Sequence, residues 1–247
     1  MAKTDRYYPA FLSLDGRICL VVGGGSVGER KIRRLMNCGA SVRLVSRDCT
    51  PWIREQCRAG RITPVGVEYH SDRLTGVDLV FAATSDPGLN RRIAADAREK
   101  RIWCNMATDP ELGSFILPSI FERGPVTVAV STAGMSPAAA KLIREKLERG
   151  FGPGLTLSLQ FMRLLRSAIL AQGLDPRENQ RIFREVAALP LEEWFDGNQR
   201  DEAVIETQAI CAQWLGFTEL NQLWDEAWKS SSSSSQHCAT AVEPSDT

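Results

Sequence analysis

Three glycines at a fixed spacing, Gly23-x-Gly25-x-x-Gly28, interrupt the run Leu20-Val21-Val22-Gly23-Gly24-Gly25-Ser26-Val27-Gly28, and such a spacing suits the holding of phosphate. Gly23 permits a sharp turn, Gly25 lets backbone approach a pyrophosphate, and Gly28 allows the following helix to pack close on the strand before it. The free amides at the helix start, around Ser26 and Val27, then face the phosphates. The spacing is informative only between a buried strand and a helix, and both flanks fit. Ile18-Cys19-Leu20-Val21-Val22 is a short apolar run, and Val27, Ile32, Leu35 and Met36 recur at helical spacing until Cys38-Gly39-Ala40. Binding of a nicotinamide dinucleotide at the start of a Rossmann-type domain is therefore expected.

The other end of such a site is less clear. Ser41-Val42-Arg43-Leu44-Val45 reads as the second strand, and NAD sites carry Asp or Glu at its end to hold the ribose hydroxyls. Here the strand ends Val45-Ser46-Arg47-Asp48. Arg47 suits a 2′-phosphate and hence NADP, whereas Ser46 or Asp48 suits a free ribose, and the residues alone leave the choice open. Arg30 and Lys31 put cations in the first helical turn, against the helix dipole, where phosphate or carboxylate would offset the repulsion. Thr84 and Asn105 fall at the ends of the fourth and fifth strands, on the ligand-binding edge of the sheet. Each either contacts the cofactor or satisfies loop backbone.

These positions depend on a larger pattern of elements. Residues 51–59 read as a helix, 62–67 as a third strand, 77–83 as a fourth, 87–100 as a helix, 101–105 as a fifth strand, and 114–119 as a last extended segment. Strands separated by helices imply an α/β domain with a parallel sheet. Residues 126–130 alternate as a strand. Ser136-Pro137 opens an amphipathic helix through Ala140, Leu142, Ile143 and Leu147, which Gly150, Gly152, Pro153 and Gly154 end. Segments 155–172, 176–188, 190–195 and 201–215 show helical periodicity, with Trp194, Trp214, Trp224 and Trp228 suited to helix packing. The expected organisation is a Rossmann domain over 1–117, a dimerisation and substrate-contact segment over 118–152, an all-helical domain over 153–229, and a disordered serine-rich tail over 230–247.

Composition narrows the function classes. The 247 residues are 43% hydrophobic, enough for a real core, and 30 basic residues balance 30 acidic ones, so no net field draws the chain to nucleic acid or an anionic membrane. The seven cysteines are scattered without a C-x-x-C pair, and His70 and His237 lie apart from any cysteine pair. No resident metal site is expected. With no apolar leader and no long apolar run, the chain is expected to be soluble and cytoplasmic.

Three segments together carry a resemblance. The first is Leu20-Val21-Val22-Gly23-Gly24-Gly25-Ser26-Val27-Gly28-Glu29-Arg30-Lys31. The second is Ala82-Ala83-Thr84-Ser85-Asp86 with Leu89-Asn90. The third runs Cys104-Asn105-Met106-Ala107-Thr108-Asp109-Pro110, Ser114-Phe115-Ile116-Leu117-Pro118-Ser119, Val128-Ala129-Val130-Ser131-Thr132-Ala133-Gly134-Met135-Ser136-Pro137 and Arg144-Glu145-Lys146-Leu147. Over residues 8–149 the chain resembles the precorrin-2 dehydrogenase family of sirohaem synthesis. The resemblance implies NAD as oxidant, a homodimer built through the segment after the sheet, and oxidation of precorrin-2 to sirohydrochlorin. Some members also insert ferrous iron, so a bifunctional dehydrogenase and ferrochelatase is one alternative. A non-catalytic NAD-sensing regulatory module is another. No methyltransferase segment follows, so substrate methylation is expected of a separate protein.

The resemblance also implies an acid-base carboxylate just after the strand-end asparagine, and Asp109 is the candidate. It stands one position later than in members reading Asn-Val-Val-Asp, with Thr108 in their place. Precorrin-2 carries many carboxylates, so its site needs hydroxyls and cations. Ser131, Thr132, Gly134, Ser136, Lys141 and Arg144 fit that need. Ser136 also suits a helix N-cap, and Lys141 and Arg144 also suit a solvated helix face.

Overall fold

The computed structural model describes residues 7–106 and 108–234, with side chains to 229. The chain divides into two compact units, Met1–Pro118 with Ala133–Met135, and Ser119–Thr132 with Ser136–Thr247.

The first unit alternates strands and helices: β1 (Ile18–Gly24), α1 (Ser26–Asn37), β2 (Ser41–Cys49), α2 (Pro51–Arg58), β3 (Ile62–Gly66), β4 (Leu79–Ala82), α3 (Pro87–Glu99) and β5 (Trp103–Met106). The strands form one sheet in the order β3-β2-β1-β4-β5, each pair parallel. Both faces of β1 are buried, which is why its sequence is apolar throughout. Leu20 and Val22 enter a core with Val80, Ala82, Ile93 and Ala97, whereas Cys19 and Val21 enter another with Ile32, Leu35, Ile53 and Phe81. Each fully buried aliphatic side chain contributes about 1.5–3 kcal/mol. The chain steps outward from β1 to β2 and β3, then returns to β4 and β5. Such a sheet opens its ligand crevice where the order reverses, here between β1 and β4.

Local chemistry fixes the helix starts. Thr50 accepts from the Ile53 amide at α2, Asp86 accepts from the Gly88 and Leu89 amides at α3, and proline follows each cap. Helix α1 differs, for its N-cap is Gly25 and no side chain caps it.

Several boundaries depart from the sequence expectation. β2 continues to Cys49 because its last residues run beside the glycine turn, with Gly24 opposite Cys49 and the Thr50 amide bonded to the Gly24 carbonyl at 3.0 Å. Residues 114–119 are not one extended segment. Ser114 folds back onto β5 through its amide and the Cys104 carbonyl, 2.8 Å apart, while Ser119 begins a new strand.

In the second unit β6 (Ser119–Arg123) and β7 (Val126–Val130) form an antiparallel hairpin, followed by α4 (Pro137–Arg149). β6 was not expected. Its signal is the turn pair Gly124-Pro125, with Gly124 at φ 53°, just before the alternating run of β7. Five helices complete the unit: α5 (Gly154–Ala171), α6 (Pro176–Ala187), α7 (Leu191–Asp196), α8 (Arg200–Cys211) and α9 (Phe217–Ser234). They share one core around Phe161, Phe195 and Trp224, the last two stacked at 3.7 Å between ring centroids. The glycines that end α4 have a second use: the Gly154 amide donates to Asp196 Oδ1 at 2.6 Å, and the Gly152 amide to Glu192, so carboxylates of α7 cap α5. α9 lay beyond the expected helices, although Leu220, Leu223, Trp224, Ala227 and Trp228 recur at helical spacing. It carries helix into the serine run as far as Ser234, and the remainder of the expected tail lies outside the described residues. Among the described residues no helix is long and apolar enough to cross a membrane.

Candidate functional site

The glycine turn between β1 and α1 opens on a cleft of about 860 Å³ within the first unit. Each glycine meets a distinct constraint. Gly23 has φ 114°, and a Cβ there would lie 2.3 Å from the Ala83 carbonyl oxygen. At Gly28 a Cβ would lie 2.0 Å from the Gly23 carbonyl oxygen, which enforces the close packing of α1 on β1. Gly24, to which the spacing assigned nothing, is equally crowded, 2.5 Å from the Asp48 carbonyl oxygen. Gly25 is the opposite, since a Cβ there meets no atom within 4 Å. Gly25, Ser26 and Val27 all line the cleft, and the uncapped amides of the first turn of α1 stand beside an open backbone surface. A pyrophosphate fits this cradle.

The ends of β2 and β3 form one wall, with Val45, Ser46, Arg47 and Asp48 from β2 and Val67, Glu68 and Tyr69 from the chain after β3. Ser46 holds the turn itself: its hydroxyl accepts from the Gly24 amide at 2.8 Å and donates to the Asp48 carbonyl at 2.7 Å. Arg47 pairs with Glu68. Tyr69 is buried and donates to Asp96 at 3.0 Å, and burial followed by that bond raises its pKa. Val67, Glu68 and Tyr69 were missed in the sequence. A parallel neighbour's end is close in space, yet nothing in its spacing marks it.

The loop after β4 forms the opposite wall through Ala83, Thr84, Ser85 and Asp86. Asn90 organises it. Fully buried, it accepts from the Thr84 amide at 3.2 Å and the Thr84 hydroxyl at 2.7 Å, and donates to the Thr84 carbonyl at 3.0 Å. The same amide nitrogen reaches the Thr108 hydroxyl at 3.5 Å, and Thr108 lines the cleft.

Asn105 is buried at the end of β5 and is not among the cleft-lining residues. Its Oδ1 accepts from Lys31 Nζ at 2.7 Å and its Nδ2 donates to the Phe115 carbonyl at 3.2 Å. Lys31 also sits 5.6 Å from the Phe81 ring. Burial, then Arg30 and Arg34, lower its pKa to about 8. Arg30 and Lys31 thus part company, and Lys31 serves the strand-end asparagine. Asn105 to Phe115 and Cys104 to Ser114 clamp both ends of the loop that carries Asp109. Asp109 itself is half-buried, precedes the short helical turn Pro110–Leu112 without capping it, and is not among the cleft-lining residues.

In the second unit the Thr132 hydroxyl accepts from the Ser136 amide at 3.2 Å and donates to the Ser136 carbonyl at 3.0 Å, while Ser136 caps α4 through the Ala139 amide at 3.1 Å. Between Thr132 and Ser136 in sequence, and grouped with the first unit, Gly134 has φ 88° and Ala133 before it also lies in the left-handed region at 52°. Ser131 and Lys141 are exposed, and Arg144 bonds Glu145 at 3.2 Å and also pairs with Glu148. Among the described residues no three His, Cys, Asp or Glu side chains converge as metal ligands.

Comparison with known proteins adds three findings. Residues 10–119 match an NAD(P)-binding family model, and residues 123–150 match the model of the sirohaem biosynthesis protein central domain. The chain is 36% identical over 182 residues to Siroheme synthase 2 of Serratia proteamaculans (strain 568), covering 74% of this chain and 39% of that protein. It is 39% identical over 180 residues to Siroheme synthase 2 of Yersinia pseudotuberculosis serotype O:1b (strain IP 31758), covering 73% and 38%, and 35% identical over 201 residues to Siroheme synthase of Escherichia coli O1:K1 / APEC, covering 81% and 44%. The chain thus spans about two fifths of the length of these relatives. Among solved structures, SirC, precorrin-2 dehydrogenase, superposes with a TM-score of 0.66 at 25% identity, over 79% of this chain and 100% of that one. With a parallel dinucleotide-type sheet, an open glycine turn and these matches side by side, the chain belongs to the precorrin-2 dehydrogenase and sirohaem synthase family, carrying its NAD(P)-binding and central domains.

Proposed function

We propose that this chain oxidises precorrin-2 to sirohydrochlorin with NAD. The observation that carries the proposal is the open cradle at Gly25 beneath the uncapped start of α1, in a chain whose fold spans the whole of a precorrin-2 dehydrogenase. The Gly25, Ser26 and Val27 backbone receives the pyrophosphate, and Ser46, Arg47 and Asp48 frame the adenosine ribose. Thr84 borders the cleft toward the nicotinamide, and Asn105, braced by Lys31, acts behind it by holding the Asp109 loop. Bound there, NAD supplies a hydride acceptor.

Conversion of precorrin-2 to sirohydrochlorin removes two hydrogens, one as hydride and one as proton. Asp109 accepts the proton and, being half-exposed, releases it to solvent. The segment with Ser131, Thr132, Gly134, Ser136, Lys141 and Arg144 receives the substrate carboxylates; Thr132 and Ser136 do so as the scaffold of its turn. The chain works as a homodimer through β6, β7 and α4, whose Leu142, Ile143 and Leu147 are 50, 44 and 41% exposed. The six described cysteines are all free thiols, in keeping with a reducing cytoplasm.

Adding enzymatically made precorrin-2 to the protein with NAD is expected to yield NADH together with the sirohydrochlorin spectrum. NAD binding with neither product would overturn this reading in favour of an NAD-sensing module. The name siroheme synthase borne by the relatives favours a second activity, ferrous iron insertion. Absence of the sirohaem spectrum after sirohydrochlorin is mixed with ferrous iron and the protein would exclude it.

A further inference from the structure

The second strand lacks the terminal acid that holds ribose hydroxyls in NAD sites, and in its place stands an arginine. The sheet supplies a carboxylate from the side. In the ladder between β2 and β3, Val45 stands opposite Gly66, after a register shift at Leu44/Val45. Two residues further along each chain are Arg47 and Glu68, and these two side chains form an ion pair on the wall of the cleft. The pair is open to water, with side chains 74% and 54% exposed, so it adds little to stability. Its position matters more than its strength.

We propose that Glu68 sets a preference for NAD over NADP, by occupying Arg47 and standing in for the missing strand-two acid. The proposal rests on the dinucleotide lying in the cleft as described above. Three charged residues line this end of the cleft, Arg47, Asp48 and Glu68, which sum to one negative charge. A ribose 2′-phosphate brings roughly −1.5 to −2 charges of its own. It would meet two carboxylates and a guanidinium already engaged, whereas a ribose with both hydroxyls free meets acceptors for its donors. Ser46 offers the ribose a single lone pair, because its hydroxyl already accepts from the Gly24 amide and donates to the Asp48 carbonyl.

The test is calorimetric titration of NAD and of NADP into the full chain and its variants, with no turnover required. The wild-type chain is expected to bind NAD more tightly. Glu68→Gln releases Arg47 and removes one negative charge, and is expected to raise NADP affinity about tenfold, the scale of one charge-assisted hydrogen bond in a screened site. Arg47→Ala placed on Glu68→Gln should abolish that gain, and raised salt should shrink it. Both positions are exposed, so unchanged melting temperatures check that the fold is intact. An unchanged NAD to NADP ratio in Glu68→Gln, with the wild-type chain binding NAD, overturns the role of Glu68 and leaves the dehydrogenase reading standing. Wild-type preference for NADP, or binding of neither dinucleotide, overturns both.

Discussion

The two units solve opposite problems. In the first, a sheet buried on both faces supports a polar edge where the backbone is left unfinished: α1 has no side-chain cap and Gly25 faces open space. In the second, α5 is capped by Asp196, and the aromatic rings of Phe161, Phe195 and Trp224 fill a closed core. Unsatisfied amides are costly in a helix that only needs to be stable, and useful in one that must hold an anion. The contrast implies that substitutions along the open edge of the first unit should show in dinucleotide binding, and those in the aromatic core of the second in stability alone.

The most damaging change should be Gly28→Ala, because a Cβ placed 2.0 Å from the Gly23 carbonyl oxygen leaves α1 nowhere to go. Both the melting temperature and NAD binding should fall, the latter beyond detection by titration; a near wild-type protein would remove the close-packing argument. Next is Asp109→Ala, expected to lower precorrin-2 oxidation about 10²–10⁴-fold, the range for one acid-base group, with the Kd for NAD unchanged. Steady-state kinetics decide it, and near wild-type turnover would take Asp109 out of the mechanism.

Trp224→Ala probes the other side of the comparison. Only 1% exposed and stacked on Phe195, the ring should cost about 3–5 kcal/mol when removed, measured by urea unfolding. NAD affinity should stay as it was, and a parallel loss of affinity would break the division between the units. The smallest effect concerns Lys31. Its folded pKa of about 8 lies below the value of 10.5 expected for an exposed lysine. Between those values the unfolded chain binds the extra proton, so stability should rise as pH goes from about 8 to 10.5, relative to Lys31→Met. A flat difference over that window would show that Lys31 carries its charge without penalty.

Much of the first unit was legible in the sequence because its signals are local. An apolar run ending in glycines, followed by a 3.6-residue periodicity, specifies β1, the turn and α1 without reference to anything distant. What was hidden depends on neighbours in space. Glu68 joins the cleft only because β3 lies beside β2, and Asn105 is claimed by Lys31, 74 positions earlier. Gly24 looked like a spare glycine until the end of β2 was found running against it. In the second unit, α7 gives two carboxylates to the start of α5, a contact that no helical period could announce.

The claim that the glycine turn is a cradle rather than a tight bend rests most directly on Gly25. Its backbone is extended, at φ −76° and ψ −173°, and the space a Cβ would enter is empty. Gly25→Val should therefore fold and melt as the wild-type chain does. Titrated with NAD, it should show no binding, because the new side chain fills the place of the pyrophosphate. Wild-type affinity for NAD in that variant would contradict the account.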